Sequence, residues 1–314
     1  MINGRPIFPI AAAALCLLLV SCGGGDPRGT GTDSGDAVAL HKITMPQPPA
    51  MLTDDSSRFA FIADRYWDTF DVSDTTWIAD TAALERAFAD WVHLLGVLPR
   101  QEAVKYPGRL IRMAEQSPAM QLRLSEIAEH YFADPNSPYR SEELFIPVLE
   151  AVLESKTIDT LYKLRPRALL ASAMKNRPGT KAADITYTTG AGGVGRLYGI
   201  RAEYLLLLFY NPGCPDCART EEYIGRSELF APLMASGRLK VLALYPDGDA
   251  EAWRAHLPQM PADWIVGRSR IGRIGESPYD LPAIPSLYLL DADKTVILKD
   301  APVERIEAWL YGNS

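Results

Sequence analysis

The sequence predicts an all-α region followed by an α/β domain built on a central mixed sheet with helices on both faces. Three observations point there. Apolar residues recur at three- and four-residue spacing from Met51 to about Lys175, the period of helices buried along one stripe. Past Asn176-Arg177-Pro178-Gly179 the pattern changes to short, nearly unbroken apolar runs, as expected of strands covered on both faces. The 314 residues also exceed the roughly 250 at which a single core stops growing, so two units are expected.

At the N-terminus, Met1 to Arg5 precedes an apolar run from Ile7 to Val20 that Pro9 interrupts. The run falls short of the about 20 residues a membrane-spanning helix needs and fits a signal-peptide core. Its end, Leu19-Val20-Ser21-Cys22, resembles the lipobox of bacterial lipoproteins. That resemblance implies cleavage before Cys22, lipidation of its thiol, and a location in the cell envelope facing the periplasm. Gly23 stands where Asp often signals inner-membrane retention, so an outer-membrane anchor is expected. From Cys22 to about Ala50 the chain is rich in Gly, Thr, Asp and Pro and lacks apolar periodicity, which reads as a flexible tether.

The helical stretch follows. Phe59, Ile62, Tyr66 and Phe70 share one face, as do Leu84, Phe88, Trp91, Val92 and Leu95. Ser117 followed by Pro118 is an N-cap with a first-turn proline, opening a helix through Met120, Leu124, Ile127 and Tyr131. Ser141 starts another before Leu144, Val148 and Leu149, with Pro147 a source of a kink. Leu161 to Met174 completes the set. Trp67, Trp77 and Trp91 with Tyr66 are expected in the core rather than lining a peptide or glycan groove.

Glu203 to Tyr210 and Leu239 to Tyr245 are apolar runs separated by one crossover's length, with a helix beginning near Cys214, so they form a right-handed βαβ unit. Ser286 to Leu290 and Thr295 to Lys299 flank Asp291-Ala292-Asp293-Lys294 as an antiparallel hairpin, and Pro302 begins a terminal helix through Ile306, Trp309 and Leu310. The expected organisation is a signal peptide at 1–21, a tether at 22–50, a helical domain at 51–176 and the α/β domain at 177–314.

Of four cysteines, processing removes Cys16 and lipidation consumes Cys22, leaving Cys214 and Cys217. A Cys-x-x-Cys pair where an apolar strand enters a helix is a redox device, because unpaired N–H groups and the helix dipole stabilise a thiolate there. Cys214 is the expected nucleophile and Cys217, less than one turn on, the resolving thiol. These residues resemble the thioredoxin-like superfamily, in particular bacterial envelope thiol-disulfide oxidoreductases of the cytochrome-maturation reductase and peroxiredoxin-like type. Ala182-Ala183-Asp184-Ile185 resembles the opening motif, Phe209-Tyr-Asn-Pro-Gly-Cys-Pro-Asp-Cys217 the active-site loop, and Ala283-Ile-Pro-Ser-Leu-Tyr-Leu-Leu-Asp291 the cis-proline strand. The resemblance implies a cis Pro285, with Pro282 the competing position, and the backbone of Ile284 presented to an extended substrate.

Departures from the family are expected to matter. Gly213 replaces the usual Trp, and Leu208 stands where thioredoxins bury a proton-transferring Asp, leaving Glu221 or Glu222 for that role. Asp216 opposes a Cys214 thiolate if its carboxylate lies close. Asn211 stands where a peroxidatic site wants Thr, which ranks peroxidase chemistry below disulfide exchange.

The expected function is therefore thiol-disulfide exchange with oxidised protein or peptide substrates, reset by a membrane electron donor, with its direction open. The alternative is a scaffold lipoprotein whose helical domain recognises a partner and whose α/β domain is a platform. No cofactor is called for. His41, His93, His130 and His256 form no second metal-spaced cluster, which argues against zinc, and a net charge of −7 argues against nucleic acid.

Overall fold

The computed structural model describes residues 41–269 and 277–313. The expected signal peptide, most of the expected tether and Cys22 lie outside the described residues. Eight helices come first: α1 (Asp55–Arg65), α2 (Thr76–Ala79), α3 (Thr81–Gly96), α4 (Arg100–Ala103), α5 (Tyr106–Met113), α6 (Pro118–Ala133), α7 (Glu142–Glu154) and α8 (Leu164–Ala173). The second half alternates: β1 (Thr186–Thr189), β2 (Val194–Arg196), β3 (Tyr204–Phe209), α9 (Pro215–Arg226), α10 (Phe230–Ala235), β4 (Leu239–Tyr245), α11 (Ala250–His256), β5 (Ile265–Arg268), β6 (Ser286–Asp291), β7 (Val296–Lys299) and α12 (Val303–Asn313).

The helices close on one apolar core. Trp67, Trp77, Trp91 and Tyr66 are all buried there, Trp67 standing edge-on to Trp91 at 5.8 Å, so the aromatic set is core and not a groove. Helix α1 stops at Arg65, one turn short of its apolar stripe. Tyr66 and Phe70 enter the core from the turns that follow, because burial and not helix continuation satisfies them. The expected tether also ends early. Ile43 is buried in the helical core, and His41 bonds Asp80 and Thr76 at 3.0 and 2.9 Å while stacking on Trp77. A single apolar residue and one aromatic contact anchor a segment whose composition alone reads as loose. Ser117 and Ser141 occupy the N-cap positions of α6 and α7 without a side-chain cap bond, and α7 runs through Pro147.

The seven strands form one mixed sheet in the order β2-β1-β5-β4-β3-β6-β7. Parallel pairing joins β3 to β4 and β4 to β5, and the outer pairs are antiparallel. Alternate residues of β3 face opposite cores. Leu206 and Leu208 meet Ile224 of α9 and Ile306 and Leu310 of α12, while Leu205, Leu207 and Phe209 meet Leu197 and Tyr279. This alternation is why the strand reads as a continuous apolar run. Short strands β1, β2 and β5 escape that signature, since Val194 of β2 is exposed and Gly267 of β5 carries no side chain.

Helices α5 and α7 touch at Gly108, where an added Cβ meets the Pro147 carbonyl oxygen at 2.7 Å and its Cβ at 2.9 Å. Gly108→Ala is expected to cost about 1–3 kcal/mol through overpacking, read as a lower urea midpoint. An unchanged midpoint refutes this tight crossing.

Candidate redox site

The site is built where β3 ends. Tyr210 keeps the sheet's pattern for one more bond, its N–H donating to Leu244 O at 3.1 Å, and then the chain turns. Asn211-Pro212-Gly213-Cys214 is closed by a 3.1 Å bond from Cys214 N–H to Asn211 O. Gly213 has φ +75°. Proline second and a left-handed glycine third are the requirements of a type II turn. Nothing lies within 4 Å of a Cβ added at Gly213, so backbone conformation, not crowding, demands glycine there.

Cys214 is the N-cap of α9, and its sulfur accepts the Cys217 N–H at 3.3 Å. Pro215 occupies the first turn, where a missing N–H costs nothing. The two cysteines are free thiols with different surroundings. Cys214 is half-buried, and its thiol donates to Ile284 O at 3.9 Å, whereas Cys217 is 1% exposed and its sulfur accepts the Asn211 N–H at 3.5 Å. Burial pushes the Cys217 thiol up to about 12, with the Cys214 side chain adding in the same direction and the Asn211 N–H opposing. The Ile284–Pro285 peptide is cis, and residue 284 offers its carbonyl to the first sulfur from a loop 70 positions away.

Adjacent carboxylates on α9 have different fates. Glu221, one turn beyond Cys217, is half-buried, acts electrostatically on both Cys217 and Tyr210, and is raised by burial above the usual carboxylate range. Glu222, about 100° further round the helix, is exposed and pairs with Arg226 at 2.7 Å. The helix phase thus brings Glu221 and not Glu222 toward the thiols. Asp216 pairs with Arg219, which offsets the repulsion expected of it. Among the described residues no group of three or more His, Cys, Asp or Glu side chains is poised for a metal. None of the helices described is long and apolar enough to cross a membrane.

A thioredoxin-like protein from Bacteroides caccae ATCC 43185 is 38% identical over 88% of this chain and 100% of its own, with a TM-score of 0.84. The chain belongs to the thioredoxin-like proteins. The C-terminal domain of an uncharacterized protein from Bacteroides fragilis NCTC 9343 is 42% identical across 43% of this chain and 98% of that one, TM-score 0.42. The thioredoxin domain of a thiol-disulfide oxidoreductase from Bacteroides vulgatus is 17% identical across 43% and 96%, TM-score 0.38. A family described as a domain of unknown function, DUF5106, matches residues 27–176. No curated protein matches the chain.

Within this thioredoxin-like protein, sequence reasoning passed over the Asn211 N–H, which carries no side-chain signal. It also passed over a buttress behind the proline loop. Ser286, fully buried, donates to Asp300 at 2.7 Å, and Asp300 pairs with Arg140 of the helical part. Nothing in the local sequence links residues so far apart.

Native reduced protein treated with iodoacetamide at pH 8 is expected to be labelled at Cys214 and not at Cys217, which is buried and whose thiol is pushed up by that burial. Because the proton is held, Cys217 labelling rises with pH. Peptide mass mapping reads both, and comparable labelling at pH 8 contradicts the assignment.

Proposed function

We propose that the protein is a cell-envelope thiol-disulfide oxidoreductase acting through Cys214 and Cys217 on disulfides of protein or peptide substrates. The observation that carries this reading is the asymmetry of the pair: one sulfur reachable at a helix N-terminus beside a proline loop, the other buried beneath it and held protonated. That is the division of labour thiol exchange needs.

In the reducing direction the Cys214 thiolate attacks one sulfur of a substrate disulfide, forming a mixed disulfide and releasing the other substrate sulfur as a thiolate. Cys217 then gives its proton to the Glu221 carboxylate, and its thiolate attacks the Cys214 sulfur. The second substrate thiolate leaves and the Cys214–Cys217 disulfide closes. Glu221 returns its proton and solvent supplies the one lost when Cys214 ionised, so the two substrate thiolates become thiols; the substrate gains two electrons and two protons, and the reverse sequence oxidises a dithiol. The raised affinity of Glu221 for a proton supports its role as acceptor, since a base works best with a pKa nearer the operating pH. Ile284, at the proline loop, supplies backbone for an extended substrate to pair with. The lipobox at Leu19-Val20-Ser21-Cys22 supports a membrane anchor, and a membrane electron donor restores the dithiol.

Cys214→Ser is expected to lower disulfide reduction by the purified chain to the rate without protein, and Cys217→Ser to accumulate a mixed disulfide at Cys214. Equal activity of wild type and Cys214→Ser sinks the enzyme reading in favour of a platform role. Glu221→Gln should slow resolution of that mixed disulfide about 100-fold, the lower end of what a positioned base contributes, while leaving its formation rate alone. Stopped-flow measurement separates the two steps.

A further inference from the structure

A cavity of about 1040 Å³ opens beside the proline loop, slightly larger than the about 300–1,000 Å³ of small-ligand sites. One wall is formed by Ile284, Pro285 and residues of α9 and α12. The other belongs to the helical part, contributed by Arg100 and the segment 135–143. The lining mixes charged side chains with apolar surface from Ile284, Pro285, Leu287 and Leu298. Most of its charges are met in place, including Asp216 with Arg219, Arg140 with Asp300, and Lys299 with Glu142 at 2.6 Å.

At the end bounded by α4, α7 and α12 the balance fails. Glu143 accepts two bonds from Arg177, at 2.9 and 2.6 Å, and is committed to it. Arg100 and Arg305 also line the cavity, and neither has an ion-pair partner among the described residues. Arg100 lies below the usual arginine range, first through partial desolvation; Glu143 attracts it, but Arg305 and Arg177 repel it. Of the two α12 carboxylates in the lining, Glu307 accepts from Tyr223 and Ser227 of the α9 side, and Glu304 acts electrostatically on that same Tyr223. Two guanidiniums that repel each other, with no ion-pair partner among the described residues, are a costly arrangement that an incoming anion relieves.

The occupant follows from where the groove leads. Ile284 and Pro285 line it, and the Ile284 carbonyl also meets the Cys214 sulfur, so an extended segment lying in the groove runs toward the reacting thiol. Its mixture of charged side chains and apolar surface suits an extended polypeptide, which brings both amides and side chains. We propose that the groove receives the substrate segment flanking the reacting disulfide cysteine, and that Arg100 and Arg305 select segments bearing Asp or Glu carboxylates. The proposal rests on the oxidoreductase reading and names its substrate class. The protein's net charge of −7 opposes acidic partners at long range. Screening over roughly 8–10 Å at moderate salt confines that repulsion and leaves the local pair of arginines to decide.

The test uses the full reduced chain and synthetic peptides in which one cysteine is joined as a pyridyl disulfide and flanked by Glu, Gln or Lys. Release of thiopyridone gives the rate of reduction. The Glu peptide is expected to react about tenfold faster than the Gln peptide, the size of one charge-assisted hydrogen bond, and the Lys peptide slower still. This order should compress at high salt. Arg100→Glu with Arg305→Glu should reverse the order of the Glu and Lys peptides, while Arg100→Lys with Arg305→Lys should retain the original preference. The wild-type salt series decides the matter even if the charge reversal fails to fold. Equal wild-type rates for all three peptides overturn the groove assignment and leave the disulfide chemistry standing. Failure to reduce any of them removes the reading on which it rests.

Discussion

The redox end of the molecule depends on the register of β3 between its two neighbours. Every residue of Tyr204–Phe209 pairs on one side with β4 and on the other with β6, and Phe209 stands opposite Ser286. With both edges hydrogen-bonded and both faces covered, the chain can only leave the sheet at its end, and it does so through a proline-glycine turn into α9. The strand opposite begins at the same level, so Pro285 and Ile284 arrive beside that turn. The meeting of Cys214 and the Ile284 carbonyl, distant in sequence, is thus a consequence of strand register. A one-residue slip exchanges the two faces of the strand and dismantles the site.

The helical part is tied to this machinery by polar contacts. Arg140 reaches Asp300, which holds Ser286; Lys299, only 7% exposed, pairs with Glu142 and donates to the carbonyls of Ala173 and Lys175. Burial raises the Glu142 carboxyl despite the neighbouring ammonium, so desolvation outweighs the attraction. Such a pair contributes orientation more than stability. Its effect is to hold residues 140–142 of the helical part against Lys299 and Asp300, beside the strand that follows the proline loop.

Much of this was legible in the sequence because burial on both faces writes a strong pattern. The runs that became β3, β4 and β6, the N-cap positions Ser117 and Ser141, and the stripe of α3 all follow from residue spacing. The cysteine pair stood out because its Cys-x-x-Cys spacing falls where an apolar run meets a helix start. Other elements hid for physical reasons. Strands β1, β2 and β5 are short and partly exposed, and α5 carries Pro107 and Gly108, residues that normally mark turns. Glu221 and Glu222 are adjacent in sequence and are separated only by the phase of the helix. The reach of Arg140 to Asp300 and the gathering of Arg100 with Arg305 depend on tertiary packing, which no local window contains.

The central claim is that Cys214 and Cys217 interconvert between dithiol and disulfide as a pair. Equilibrating the purified chain across ratios of reduced to oxidised dithiothreitol, then trapping free thiols and weighing the protein, tests it directly. The account predicts one reversible two-electron transition in which both thiols are lost together and a single intramolecular disulfide appears. Two thiols that stay free across the whole range, or that oxidise independently of each other, contradict it.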